Sequence, residues 1–419
     1  MKCIFLLSVV LAFASGDLEV TVRIGRIRGF ILTSRKGKRI YSFRGVRYAE
    51  PPIEQQRFQV TNPATDWNVF DASKEGPACP ALYVENIMED CLRVNVYTTK
   101  VSFTNSDYVK RSVLVFFHPG AFYLFSGQSS NFGPEYLLDK NIVLVTVNNR
   151  LATLGFLSTG DSKAPGNLGL KDQVVALRWV QRNIAAFGGD PDSVTICGYS
   201  VGGFSVMLHM VSPMSKGLFH RAIMMSDSMT LDPYPTEQLH LAKKQAELLN
   251  CPTNTTDAIL ICLKSKLVEN FTDAISKFFE GYDNPILLWT SVVEFEVHVV
   301  ERFLPEQPVD LIRKGKVHKV PLIAEVTKDE FETMSNIIKS DSLVIFPLHR
   351  ALKLCFADNT DQSIYFYPSF YQERYSFVTW NETSPYGMAF LILLAFFDCS
   401  KNYFTSQDWK LINIRINYN

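Results

Sequence analysis

The chain has 419 residues, 47% hydrophobic and 20% charged, with 42 basic and 42 acidic side chains and a formal net charge of +0. That is material for one large globular domain or two ordinary ones. The neutral balance leaves no electrostatic footprint for nucleic acid or for an anionic membrane surface as partner.

Residues 1–16 differ from the rest of the chain. Lys2 supplies a small positive segment, residues 4–14 an apolar run, and Ala12-Phe13-Ala14 or Ala14-Ser15-Gly16 a small-residue cleavage site. This pattern is a secretory signal; the apolar run is too short to span a bilayer. Residues 20–32 alternate apolar and polar side chains around Gly25 and Gly29, which predicts a β-hairpin. A turn-rich passage over 43–52 comes next, and residues 89–97 end as a strand. Residues 112–117 (SVLVFF) and 142–147 (IVLVTV) are continuous apolar runs, the pattern of strands buried on both faces of a parallel sheet.

Residues 170–186 carry Leu170, Val174, Leu177, Val180 and Ile184 at helical spacing and close at Phe187-Gly188-Gly189. Further strands are expected at 194–197, 221–226, 320–326 and 363–371, with helices at 204–211, 239–249 and 257–267. Strand and helix in alternation predict an α/β fold around a central sheet. No repeat, low-complexity tract or linker divides the chain, so residues 17–419 read as one domain.

The chemistry centres on Gly198-Tyr199-Ser200-Val201-Gly202, which lies between an apolar strand and a helix. A sharp strand-to-helix turn crowds its neighbours, so Gly198 and Gly202 stand where a Cβ would clash. Ser200 is then exposed at the end of a strand, over a helix amino terminus that favours developing negative charge. An attacking serine needs a base, a group that orients the base, and donors for the oxyanion. His118-Pro119-Gly120-Ala121-Phe122 directly follows a strand, so the N–H groups of Gly120 and Ala121, with that of Val201, are the expected donors.

Secretion makes the eight cysteines candidates for disulfides. Cys3 lies in the signal, Cys79 and Cys91 would close one short loop, and Cys251 and Cys262 another. Cys197 reads as a buried free thiol, and the sequence alone does not pair Cys355 and Cys399. Asn254, Asn270 and Asn381 head glycosylation sequons. No cluster has metal-ligand spacing, and no glycine-rich loop suits a nucleotide cofactor, so neither metal nor cofactor is expected.

Taken together, these motifs resemble the type-B carboxylesterases, the cholinesterase-like branch of the α/β-hydrolases, and within it the secreted insect esterases. The resemblance runs over residues 20–330 and resumes at 363–387. It includes Glu89-Asp90-Cys91-Leu92, Asn148-Asn149-Arg150-Leu151, residues 166–173 and Phe187-Gly188-Gly189-Asp190-Pro191. It implies an α/β-hydrolase fold, a small-molecule carboxylic ester as substrate, Ser200 as nucleophile and Glu330 as triad acid, with Asp329 the alternative. By the same resemblance Ser226 supports the acid, and Cys79–Cys91 and Cys251–Cys262 are disulfides. The Cys79 to Cys91 loop holds no tryptophan to receive a quaternary ammonium, so a general or lipid-ester specificity is expected over a cholinesterase one.

The sequence departs from the family late in the chain. Tyr386-Gly387-Met388-Ala389 leads to Phe390, where the family has its catalytic histidine, and phenylalanine cannot accept a proton. Of the seven histidines only His349 follows Glu330, and it sits in an apolar helix-like run. His209 lies in the helix behind Ser200, with the wrong geometry to reach the hydroxyl. Val201, Phe331 and Asp227 replace small family residues, the interval from Glu330 to Ser363 is short, and beyond Phe390 the resemblance fades, so late elements of the fold are expected to be missing. Residues 388–397 are apolar but too few to span a membrane.

Three readings stay open. One is a secreted esterase whose coding sequence has lost a segment near Lys339 and is misread from about Phe390. The second is an esterase-fold binding or adhesion protein without activity; the third is a truncated chain that does not fold. Loss of a triad base costs on the order of 10⁶ in turnover, so the chain as written is expected to be a poor enzyme.

Overall fold

The computed structural model describes residues 18–101, 109–226, 236–279, 288–296 and 301–325. Outside the described residues lie the signal segment 1–16, Asp227, His298 and everything from residue 326 onward. The last includes Asp329, Glu330, Phe331, Lys339, His349, Cys355, the strand expected at 363–371, Asn381, Phe390 and Cys399.

The chain opens with β1 (Glu19–Val22) and β2 (Gly25–Arg28), an antiparallel hairpin that β5 (Val69–Asp71) extends to three strands. The hairpin is shorter than the alternation over 20–32 suggests. After Arg28 the chain leaves it: β3 (Phe30–Thr33) pairs instead with β4 (Arg39–Arg47) in the main sheet. Gly29 makes this passage possible, because a Cβ there would stand 2.5 Å from the Ser42 carbonyl oxygen.

The main sheet also takes β6 (Arg93–Thr98), β7 (Arg111–Phe117), β8 (Val143–Val147), β9 (Gly189–Tyr199), β10 (Arg221–Met225) and β11 (Leu322–Glu325). Its order is β11-β10-β9-β7-β8-β6-β4-β3. From β11 to β8 every neighbouring pair is parallel; β8-β6, β6-β4 and β4-β3 are antiparallel. Every side chain of β8 is buried. On β7 only Val113, Val115 and Phe117 are, while Leu114 and Phe116 lie half-buried against a small cluster of Ile40, Tyr97, Leu138 and Leu144. The doubly covered strand that the apolar runs predict is therefore realised more fully in β8 than in β7.

Helices α1 (Ala152–Phe156), α2 (Leu168–Asn183) and α3 (Val201–Val211) follow β8 and flank β9 in sequence. Helix α2 begins two residues before the apolar spacing shows and ends at Asn183, tightening into a 3₁₀ turn over Ile184–Phe187 that Gly188 closes in the left-handed region. Val174, Ala176, Leu177, Val180 and Ile184 join the principal core with Val194, Ile196, Val206 and Leu208.

A satellite core lies under α4 (Leu239–Leu248), α5 (Thr256–Lys264) and α6 (Val268–Ile275), with Phe58, Leu154, Ile259, Leu263 and Phe271 at its centre. The helix expected over 257–267 is α5, which ends three residues sooner, and a separate helix follows it. α5 stops at Lys264, and Leu267 is extended (φ −66°, ψ 150°) before α6 begins. Thr255 caps α5, its hydroxyl accepting from the Ala258 N–H at 3.1 Å, a contact worth about 1 kcal/mol. Helix α7 (Pro308–Arg313) precedes β11.

Both short-loop cysteine pairs, Cys79–Cys91 and Cys251–Cys262, are disulfides. No described helix is long and apolar enough to cross a membrane.

Candidate active site

Strand β9 delivers Ser200 at its carboxyl end with φ 54° and ψ −125°, a conformation costly for any residue but glycine. Two close approaches hold the turn. A Cβ on Gly198 would stand 2.1 Å from the Gly202 carbonyl carbon, and one on Gly202 would stand 2.1 Å from the Phe117 carbonyl oxygen. The turn therefore exists only with glycine at both positions, and it presses the start of α3 against the end of β7. The Ser200 N–H donates to the Met225 carbonyl at 2.9 Å, and the Ser200 carbonyl accepts from Phe204 N–H at 2.9 Å, so the backbone on either side is fixed. Tyr199, before it, is 47% exposed.

Strand β7 lies beside β9 with Phe117 opposite Gly198, and His118 to Phe122 continue from its end. Gly120 (φ 117°), Ala121 (φ 50°) and Phe122 (φ 62°) are all in the positive-φ region. A Cβ on Gly120 would stand 2.3 Å from the Leu124 carbonyl oxygen. The loop closes on itself, with the Tyr123 and Leu124 N–H groups donating to the Gly120 carbonyl at 2.9 and 2.8 Å. The N–H groups of Gly120, Ala121 and Val201 make no hydrogen bond among the described residues. They are donors without an acceptor at the ends of two adjacent strands.

On the other side of β9, Ser226 ends β10 with φ 52°, buried, its N–H donating to the Glu325 carbonyl at 2.8 Å. Strained non-glycine residues thus stand together at the carboxyl ends of β7, β9 and β10. Such clustering points to a site, since each costs on the order of 1–3 kcal/mol and persists only when its surroundings force it. Glu330 follows β11 in sequence and lies outside the described residues, as does Phe390.

Cys197 is free and buried; burial and the Glu325 charge push its thiol up to about 12, so it is inert. His118 donates through Nδ1 to the Pro119 carbonyl at 2.7 Å, and burial holds its pKa down at about 4. His209 is fully buried, both ring nitrogens are engaged, and desolvation, with the nearby His318, lowers its pKa to about 3. Both rings are therefore neutral near neutral pH, and both are held in the interior.

Aromatic rings back the loop after β7. Phe122 lies 4.4 Å from Phe156 and 6.0 Å from Phe204 between ring centroids, and Tyr123 meets Phe279 at 5.2 Å and Trp289 at 5.9 Å. Buried ion pairs hold the frame: Arg57 with Glu89, Arg150 with Asp172 at 2.7 Å, and Lys171 with Glu294 at 2.6 Å. Sequence reasoning missed the Lys171–Glu294 pair and the exposed Tyr199. Nothing in local spacing links Glu294 to α2, whereas Tyr199 stands inside the motif itself.

Asn254 is exposed within the Cys251–Cys262 loop, while Asn270 is half-buried within α6. Among the described residues no group of His, Cys, Asp and Glu side chains could hold a metal ion.

A model of the carboxylesterase family matches residues 16–365. The chain belongs to the carboxylesterase family. It is similar to esterase FE4 of Myzus persicae, 41% identical over 325 residues that make up 76% of this chain and 56% of that protein. It is also similar to the juvenile hormone esterase of Tribolium castaneum, 34% identical over 335 residues, 77% of this chain and 56% of that one. Among solved structures, juvenile hormone esterase from Manduca sexta with OTFP covalently attached superposes with a TM-score of 0.69 at 30% identity, covering 86% of this chain and 70% of that one. The α/β-hydrolase architecture of these esterases is the architecture of the described sheet. The chain spans little more than half the length of the relatives it matches in sequence.

Proposed function

We propose that this carboxylesterase-family chain acts on small-molecule carboxylic esters through an acyl-enzyme on Ser200. In this reading Gly120, Ala121 and Val201 hold the oxyanion and Glu330, supported by Ser226, is the triad acid. The observation that carries it is the strained Ser200 at the end of β9, flanked by backbone donors that no described group accepts from. A donor of this kind contributes about 2.7–4 kcal/mol to the transition state of acyl transfer.

In the acylation step the Ser200 oxygen bonds to the ester carbonyl carbon, its proton leaves, and the C–O bond to the alcohol breaks as the alcohol takes up a proton. Water then attacks the acyl carbon and returns Ser200. Both halves need a base. Phe390 holds the family's histidine position, so the triad base is missing, and turnover falls on the order of 10⁶ below that of an intact triad.

The relatives named as juvenile hormone esterases support an apolar ester as the class. Secretion fits the two disulfides, residues 17–419 form one domain in this reading, and Asn254, Asn270 and Asn381 are the glycan acceptors. Phe390 supports a second reading, an esterase-fold protein that binds an ester-like ligand without turning it over.

The test is active-site titration of the secreted chain with a fluorophosphonate, beside steady-state hydrolysis of an aryl acetate. Expected are slow stoichiometric labelling, lost in Ser200→Ala, and turnover far below ordinary esterase rates. Absence of labelling at any exposure time would favour the binding protein, and rapid turnover would show that another group supplies the base.

A further inference from the structure

Behind α3 runs a buried chain of neutral polar groups whose donor directions can be worked out from one fixed point. The Asn149 Nδ2 donates to the Arg150 carbonyl at 3.0 Å. A carbonyl only accepts, so Asn149 must turn its Oδ1 toward Gln173. Gln173 Nε2 accordingly donates to Asn149 Oδ1 at 3.1 Å and to Ser205 Oγ at 3.3 Å. That leaves Gln173 Oε1 facing His209 Nε2 at 3.0 Å, so the His209 proton sits on Nε2, and Nδ1 accepts from the Ser215 hydroxyl at 2.7 Å. Ser205, its oxygen occupied by the glutamine, donates its proton to the Val201 carbonyl at 2.9 Å. Asn149, Gln173, Ser205, His209 and Ser215 are all buried, so each lost contact leaves a polar group without water.

This chain reaches both elements that carry the oxyanion donors, α3 and the end of β7. Asn149 belongs to the segment after β8 and Val201 opens α3. His209 stacks on Phe117, the last residue of β7, with centroids 5.2 Å apart and planes 22° from parallel. Phe117 is also the residue whose carbonyl Gly202 presses against.

We infer that Gln173 is a positioning residue: with His209 and Ser205 it locks the Val201 peptide and the end of β7 to one another, setting the separation of the oxyanion donors on the two elements. This rests on the reading that Val201 and the Gly120 loop hold an oxyanion, though the mechanical coupling itself does not depend on catalysis.

The experiment uses the full chain with Gln173→Met, Ser205→Ala and the double variant. Amide hydrogen exchange is followed over residues 118–124 and 200–205, with α5 as an internal control. Fluorophosphonate labelling of Ser200 is timed in parallel. Gln173→Met should speed exchange in both segments by about tenfold, the effect of a lost buried hydrogen bond, and leave α5 unchanged. Labelling should slow by about 10- to 100-fold, and Ser205→Ala should add little to it, because both act through one chain. Unchanged exchange at 118–124, or equal acceleration in α5, would overturn the inference. If Gln173→Met does not fold, Ser205→Ala alone decides, since it removes a single hydroxyl. Failure of the unsubstituted chain to label would sink the ester-hydrolase reading while the exchange comparison still tests the coupling.

Discussion

Gly202 lies so close beneath the end of β7 that a Cβ on it would stand 2.1 Å from the Phe117 carbonyl oxygen and 3.1 Å from that of His118. The nucleophile turn and the loop of Gly120 are therefore built as one contact, with no slack for a methyl group. Gly202→Ala should push α3 away from β7 and cost about 1–3 kcal/mol, as overpacking does elsewhere. Gly203→Ala is the control, since its Cβ would meet the Met225 carbonyl oxygen only at 3.0 Å. Urea midpoints of the two variants should separate, with Gly202→Ala the lower; equal midpoints would mean that the elbow yields easily.

The pair of Lys171 and Glu294 makes an unequal partnership. Both side chains are 1% exposed. Glu294 also accepts from Asn167 Nδ2 and from the Phe303 N–H, each at 2.9 Å, whereas Lys171 has no other described partner. Removing one member of a buried pair costs about 3–5 kcal/mol when the other is left uncompensated. Glu294→Gln strands a buried ammonium and should lose an amount in that range. Lys171→Met leaves a carboxylate that keeps its N–H donors and should lose less. Chemical denaturation of the two variants checks the order, and a larger loss for Lys171→Met would show that the carboxylate depends on the ammonium above all.

The turn at Ser200, the strands beside it and the loop after β7 were legible because each is local: apolar runs, glycine spacing and a strand-turn-helix order lie along consecutive residues. Helix boundaries were less so. The helix read over 257–267 ends at Lys264, and the extended Leu267 after it lets α6 bury Phe271 against Phe58. Long-range polar partners were not legible at all. Gln173 reads as one more residue on a helix until the fold brings Asn149, Ser205 and His209 around it. Gly29 reads as part of a hairpin because its contact, the Ser42 carbonyl, comes from β4.

Two buried histidines make stability depend on pH in a defined window. Burial lowers His118 to about 4, and burial with the nearby His318 lowers His209 to about 3, while an unfolded histidine titrates near 6.5. Between those values the unfolded chain binds protons that the folded chain does not, so stability falls as pH drops and is fully present above about 6.5. Each histidine contributes a slope of about 1.4 kcal/mol per pH unit across that window. Asp139 and Asp161 are also lowered, from 3.8, and act with the same sign only at more acid pH. Unfolding free energy measured from pH 7.5 to 4.5 should decline with a slope that approaches twice the single-histidine value. Half that slope would mean that one ring protonates in place, and a flat profile that both do.

Phe390 offers the most direct way to ask whether this chain retains an esterase site. The resemblance to the carboxylesterases holds through Tyr386-Gly387, so a histidine at 390 would stand where the family has its base. Ser200, with its backbone donors, would then gain the proton acceptor that Phe390 cannot supply. Restoring a triad base is worth up to about 10⁶ in turnover, and even a misplaced imidazole acting as a general base contributes about 10²–10⁴. Phe390→His should therefore raise the aryl-acetate kcat by at least about 10² over the unsubstituted chain, with a pH dependence that rises through the histidine range near 6.5. The Ser200→Ala, Phe390→His double variant should return to background, since the imidazole would then have no hydroxyl to activate. A gain that survives Ser200→Ala would reveal hydrolysis by the new imidazole itself. No gain at all would mean that residue 390 does not reach Ser200, and the missing base would have to be sought at another position.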